Sequence, residues 1–192
     1  MVKKSTWVLL LGLLAAGWLQ AADSADNEAA LRQAIESRSA EDRARDSARH
    51  PAETLMFFQV APGMTVAEAL PGGGWYTNIL ANYLGPDGTL YGINYADRMW
   101  SLFPNATDEW IAGRIKATGN FPGMVKGFTD NGIKAEGFTF STVPAKVAGT
   151  VDRVLLIRAL HNLTRFEEQA GTRSQALAAV RSILKDDGLV GV

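Results

Sequence analysis

At 192 residues, 47% of them hydrophobic, the chain has the material for a single compact core, and nineteen Lys plus Arg against twenty Asp plus Glu leave a net charge of −1. No sustained basic field marks it for nucleic acid or an anionic membrane surface, so a small-molecule substrate or a protein is the expected partner. The lack of cysteine excludes disulfides, thiolate nucleophiles and thiolate metal sites, and no His, Asp and Glu cluster has metal-ligand spacing.

Residues 1–21 have the layout of a secretory signal peptide. Lys3 and Lys4 precede an apolar run from Trp7 to Leu19, and small Ala21-Ala22 lead into polar Asp23-Ser24. Thirteen apolar residues fall short of the ~20 that span a bilayer as a helix. A periplasmic or secreted protein is therefore expected, with no membrane association after cleavage. Residues 22–50, with Leu31, Ile35 and Ala40 scattered among repeated charges, are expected to form an exposed helical arm with a solvated face. Pro51 suits a helix start, and Leu55, Met56 and Phe58 are expected to dock that helix on the core.

Residues 51–192 read as an α/β domain. Pro62-Gly63 turns the chain into a buried strand at 64–70. A glycine loop at 71–74 leads to a helix at 75–84 with Ile79, Leu80 and Tyr83 at helical spacing. Gly85-Pro86 and Asp87-Gly88 then lead to a second strand at 89–94. This is a βαβ unit, whose crossover is almost always right-handed. Thr107, followed by Asp108 and Glu109, is an N-cap opening another helix. Residues 119–137 are too punctuated by Gly and Pro for a long element. Strands are predicted at 138–143 and, buried on both faces, at 151–157. Thr164 and Glu167 make a capping-box pattern before a helix striped by Leu177, Val180, Ile183 and Leu184. A fifth strand is predicted from Leu189, as though the sheet were cut short there. A helical arm followed by alternating β and α predicts a doubly wound, mostly parallel, Rossmann-like sheet.

The stretch Glu68-Ala69-Leu70-Pro71-Gly72-Gly73-Gly74-Trp75-Tyr76-Thr77 concentrates the chemistry. In an open α/β sheet ligands sit beyond the carboxyl ends of the strands, and glycines at the first βα turn let backbone approach them. The following helix N-terminus favours a carboxylate or phosphate. A P-loop is disfavoured because no Gly-Lys-Ser/Thr follows. A dinucleotide fingerprint is disfavoured because Tyr76-Thr77 stand where its third glycine belongs.

Glu68 to Gly74 resembles motif I of the class I S-adenosylmethionine-dependent methyltransferases, with Leu70 in place of the first glycine. The strings Arg49-His50-Pro51-Ala52-Glu53-Thr54-Leu55, Pro71-Gly72-Gly73-Gly74-Trp75-Tyr76-Thr77 and Arg158-Ala159-Leu160-His161-Asn162 resemble those of a bacterial family of predicted exported methyltransferases, over about residues 47–192. The resemblance implies S-adenosylmethionine as cofactor. It also implies that Gly72, Gly73 and Gly74 pass under the methionine part, while Glu68 holds the loop and the amino group. Where the family has an acidic residue for the ribose hydroxyls this chain has Asn94, which can accept one hydrogen bond and donate another. Asp97 is the fallback.

Methyl transfer asks the protein to align the acceptor and, where needed, remove its proton. His161, after the fourth strand, is the candidate imidazole base. Arg158 either binds an anionic acceptor or pairs with a neighbouring carboxylate, and Trp75 and Tyr76 either wall the pocket or enter the core. The sequence thus predicts a methyltransferase acting on a small molecule. The alternative is a non-catalytic relative that binds a nucleoside-like ligand or a protein, favoured by Leu70 and Asn94. The glycine spacing argues against a nicotinamide-dependent oxidoreductase.

Overall fold

The computed structural model describes residues 24–192, so the signal-peptide reading of residues 1–21 lies outside the described residues. Five parallel strands make one sheet in the order β3-β2-β1-β4-β5: β1 Thr65–Ala69, β2 Thr89–Asn94, β3 Lys134–Thr139, β4 Val151–Leu155 and β5 Leu184–Gly191. This is the doubly wound, Rossmann-like arrangement, and the strand order switches direction between β1 and β4.

Helices cover both faces. Residues 24–36 (α1), Ala40–Arg43 (α2), Asp46–Arg49 (α3), Pro51–Phe57 (α4) and Trp75–Leu84 (α5) come first. Asp108–Gly119 (α6), Phe121–Phe128 (α7), Leu160–Arg165 (α8), Glu167–Ala170 (α9) and Thr172–Ile183 (α10) follow. Strand alternation divides the apolar residues. Val66, Leu90 and Leu155 meet Leu31, Leu55, Ile79, Leu80 and Phe121 on one face. Ala67, Ala69, Ile93 and Val154 meet Met99, Leu163, Val180 and Ile183 on the other. Each large aliphatic side chain so buried contributes about 1.5–3 kcal/mol.

The expected helix at 75–84 and strand at 89–94 are found with those bounds, and Thr107 caps α6 by accepting from the Trp110 N–H. Other expectations are corrected. The arm keeps a solvated charged face, with Arg32, Glu36, Glu41, Arg43 and Arg45 exposed, but it is also docked: Leu31, Ala34 and Arg38 are buried, and Arg38 pairs with Asp46 at 2.6 Å. On α4, Leu55 is buried but Met56 is exposed. The third strand ends at Thr139, where Thr142 and Ser141 close a turn on its backbone and hydroxyl groups. It begins earlier than predicted because Gly137 is part of the strand, not punctuation.

A side chain at Gly137 would lie 1.9 Å from the Thr118 carbonyl, and one at its sheet partner Gly92 would lie 2.4 Å from the Phe121 ring. The two glycines let the α6–α7 junction lie directly on the sheet. Helix α7 forms across the stretch read as punctuated because Phe121 and Val125, four apart, bury one side of it. Thr164 bonds back to Leu160 inside α8, while Glu167 accepts from the Arg173 and Ser174 N–H groups and caps α10. Leu177 faces outward, Ala176 and Ala179 join Val180 and Ile183 inside, and Leu184 already begins β5. The Asp186-Asp187-Gly188 segment falls within the register shift of β5 against β4.

Candidate functional site

Past β1 the chain reverses into α5 using left-handed backbone at Leu70 (φ 53), Gly72 (φ 59) and Gly74 (φ 81). For leucine this costs about 1–2 kcal/mol. Its N–H is held by the Ile93 carbonyl at 2.8 Å. Leu70 therefore adopts the conformation glycine ordinarily supplies.

The three glycines have different surroundings. A side chain at Gly72 would meet only the Leu70 carbonyl, at 3.8 Å, and one at Gly73 would meet nothing within 4 Å. At Gly74 it would strike the Phe128 ring at 2.8 Å and Met124 Sδ at 2.9 Å. Gly74 thus permits α7 to pack on α5.

Two cavities flank this loop, and Leu70, Pro71 and Gly72 line both. One, of about 290 Å³, lies between the carboxyl ends of β1 and β4, at the switch in strand order. Glu68, Gly73, Trp75, Tyr76 and Arg158 line it, and the arm closes it with Asp42, Arg45 and Arg49. The arm is tethered through Trp75, whose Nε1–H donates to the Asp42 carbonyl at 2.8 Å and whose ring lies under the guanidiniums of Arg49 (4.4 Å) and Arg38 (4.9 Å). Glu68 is 7% exposed, and Thr77 Oγ1 donates to its Oε2 at 2.6 Å. Burial pushes its carboxyl up to about 7, against the lowering effect of Thr77.

The second cavity, of about 260 Å³, opens beside the end of β2 and has aromatic walls. Trp100 and Phe103 stack at 5.5 Å, Trp110 stands edge-on to Trp100 at 5.7 Å, and Phe166 packs on Phe103 at 4.8 Å. Arg114 lies over Trp110 and Arg165 over Phe166. Asn94 sits at the strand end with its Nδ2 donating to Thr118 Oγ1 at 3.1 Å, which leaves its Oδ1 without a donor among the described residues. Trp100 Nε1 is buried with no acceptor among the described residues. An orphaned donor of this kind costs about 1–3 kcal/mol until a ligand satisfies it. Either cavity falls slightly below the ~300 Å³ at which drug-sized pockets begin.

Of the predicted site residues, Gly72 borders both cavities. Glu68 and Gly73 border the first, Asn94 borders the second, and Gly74 borders neither. His161 is exposed on α8 and lines neither cavity, although Asn162 and Arg165 beside it reach the aromatic one. Asp97 is exposed and lies in a separate, shallow depression with Ser141 and Thr142. Arg158, Trp75 and Tyr76 all border the first cavity. Sequence reasoning missed Arg45 and Arg49, which looked like part of a solvated charge run, and the aromatic wall. Four aromatics between residues 95 and 110 were the available signal. Among the described residues no group of His, Asp and Glu could hold a metal ion, and no helix is long and apolar enough to cross a membrane.

No protein-family model matches the sequence, and no curated protein does. Among solved structures, the chain is similar to a SAM-dependent methyltransferase from Aquifex aeolicus, with 19% identity, 70% of this chain and 58% of that one covered, and a TM-score of 0.42. It is similar also to a putative S-adenosyl-L-methionine-dependent methyltransferase from Methanococcus maripaludis, with 16% identity, 73% and 52% covered, and a TM-score of 0.43. A third is a precorrin-6y C5,15-methyltransferase from Geobacter metallireducens, with 15% identity, 73% and 59% covered, and a TM-score of 0.41. The match thus spans between half and three-fifths of those chains.

Proposed function

We propose that the protein is an S-adenosylmethionine-dependent methyltransferase acting on a small-molecule acceptor. The observation that carries this reading is the position of Gly72. A residue without a side chain, open above, joins an aromatic cavity at the end of β2 to a polar cavity at the β1–β4 switch point. A ligand crossing it would place a flat ring on one side and a reactive group on the other.

The residues present suit the adenosine part. Trp100 Nε1 offers an unsatisfied donor, Phe103 and Trp110 offer ring faces, and Asn94 Oδ1 offers an acceptor for a ribose hydroxyl. When bound, the cofactor supplies an electrophilic methyl on a sulfonium. The protein's part is to align the acceptor and hold its proton. Glu68 borders the polar cavity with a carboxyl near half-protonation at neutral pH, so it is the proton acceptor this reading assigns. The sequence of residues 1–21 supports an exported location.

Calorimetric titration with S-adenosylmethionine and S-adenosylhomocysteine tests the reading. Micromolar binding is expected, abolished or strongly weakened in Gly72→Val and weakened in Trp100→Phe, with both variants checked for native melting. Absence of binding by the unaltered protein would refute the methyltransferase function.

A further inference from the structure

We infer that Thr118, which does not itself border the aromatic cavity, is a positioning residue: it turns the Asn94 amide so that Oδ1 faces the ligand, and thereby makes the cavity selective for a sugar that carries its hydroxyls. This deepens the proposed reading and rests on it for the nucleoside; the selection of a hydrogen donor rests on the side chains.

An amide side chain has an accepting end and a donating end of nearly the same shape, so the group behind it decides which end faces the cavity. Behind Asn94 stands Thr118, buried on the last turn of α6. Its hydroxyl has one proton, which goes to the Arg114 carbonyl one turn back, at 3.3 Å. Toward Asn94 the hydroxyl oxygen therefore accepts, and it takes the Nδ2–H at 3.1 Å. The reversed amide would set two oxygens against each other or draw the proton away from the helix carbonyl.

Both partners are held in place by backbone. The Asn94 carbonyl accepts from the Phe140 N–H at 2.9 Å, which ties the end of β2 to the chain leaving β3. The Thr118 carbonyl lies on Gly137 of β3, where a side chain would stand 1.9 Å from it. Among the described residues Asn94 Oδ1 has no donor and Trp100 Nε1 no acceptor, and both residues line the cavity. A ligand that satisfies both brings an acceptor on its ring and a hydrogen on its sugar. A sugar lacking the hydroxyl leaves Oδ1 facing carbon, and the contact is lost.

Calorimetric titration with adenosine, 2′-deoxyadenosine and 3′-deoxyadenosine, beside S-adenosylhomocysteine, tests this. The unaltered protein is expected to bind adenosine about tenfold more tightly than at least one of the deoxynucleosides. Thr118→Val keeps the shape and removes the hydroxyl, so the preference should fall to about twofold or less, whereas Thr118→Ser should retain it. Asn94→Asp presents an acceptor whichever way it turns, so combining it with Thr118→Val should restore the preference. A role confined to packing would weaken all three nucleosides alike, with no recovery in the combined variant. Absence of a preference in the unaltered protein, its persistence in Thr118→Val, or failure of the combined variant to recover it would each overturn the inference. A Thr118-dependent preference in a protein that ignores S-adenosylhomocysteine would leave the selection standing and remove the transferase reading. Binding of none of these compounds would overturn both.

Discussion

The aromatic cavity rests on backbone that has no room to move, whereas the arginine cavity is closed by the α2–α3 part of the arm, which buries no residue of its own and is held through Trp75. Behind the first, Gly92 and Gly137 sit side by side under Phe121 and the Thr118 carbonyl, and Thr118 in turn holds Asn94 at the cavity edge. Behind the second, Trp75 joins residues more than thirty positions apart, and Arg45 and Arg49 hang over a buried carboxyl. Close packing makes a rigid, aromatic-walled pocket edged by Arg114 and Arg165. An arm of stacked cations makes a polar one whose state depends on pH and on what fills it. In the proposed reading one ligand spans both pockets across Gly72, its ring in the rigid one and its reactive end in the polar one.

Breaking the rigid side should have the largest effect. In Gly137→Ala the added methyl meets a backbone carbonyl, which cannot rotate away, so α6 must lift from the sheet. A loss of roughly 3 kcal/mol or more is expected, with Asn94 displaced along with Thr118. Gly73→Ala, facing open space, should stay within about 0.5 kcal/mol of the parent. Urea denaturation of the pair measures both, and equal stabilities would mean that the α6–α7 junction is not held as described.

The next effect belongs to the polar side. Folding raises the Glu68 carboxyl from 4.5 to about 7, so the folded state binds more protons than the unfolded state between those values. Its stabilising share is complete below about pH 4.5 and is lost as the pH rises through about 7, a total on the order of 3 kcal/mol. Glu68→Gln keeps an acceptor for Thr77 and should flatten that part of the stability profile. Denaturation at about pH 5 and about pH 8 would check it, and identical profiles for the two proteins would place the buried charge elsewhere.

A smaller change should separate the two cavities. Trp75→Phe removes the indole N–H bonded to Asp42 and weakens the face on which the arginines stack. Docking of the arm should weaken by about 1–2 kcal/mol, seen as faster amide exchange in α2 and α3, while α6 and α7 keep their protection. Uniform loss of protection would make the arm part of the same cooperative unit as the aromatic cavity.

What could be read in the sequence follows the same division. Helix α5, strand β2 and the glycine turn between β1 and α5 were legible because local signals specify them: a helical stripe of Ile79, Leu80 and Tyr83, bracketing glycines, and an acidic strand end. The cavity walls were not, because they are made by long-range contacts. Arg45 and Arg49 resemble any solvated helix until Trp75 is brought under them. Gly137 reads as a break until Thr118 is found above it. Leu70 looked like an obstruction in the loop, and only its backbone angle shows that the chain follows the glycine path there. His161 carried the right chemistry for a base, but its helix turns it outward, and Glu68 gains a neutral-range carboxyl only through burial that no local pattern reveals.

The division of labour across Gly72 is tested most directly by a crystal structure with S-adenosylhomocysteine. Adenine density between Trp100, Phe103 and Trp110, a ribose hydroxyl on Asn94 Oδ1 and the homocysteine chain passing Gly72 are expected. Adenine density in the arginine cavity would contradict it.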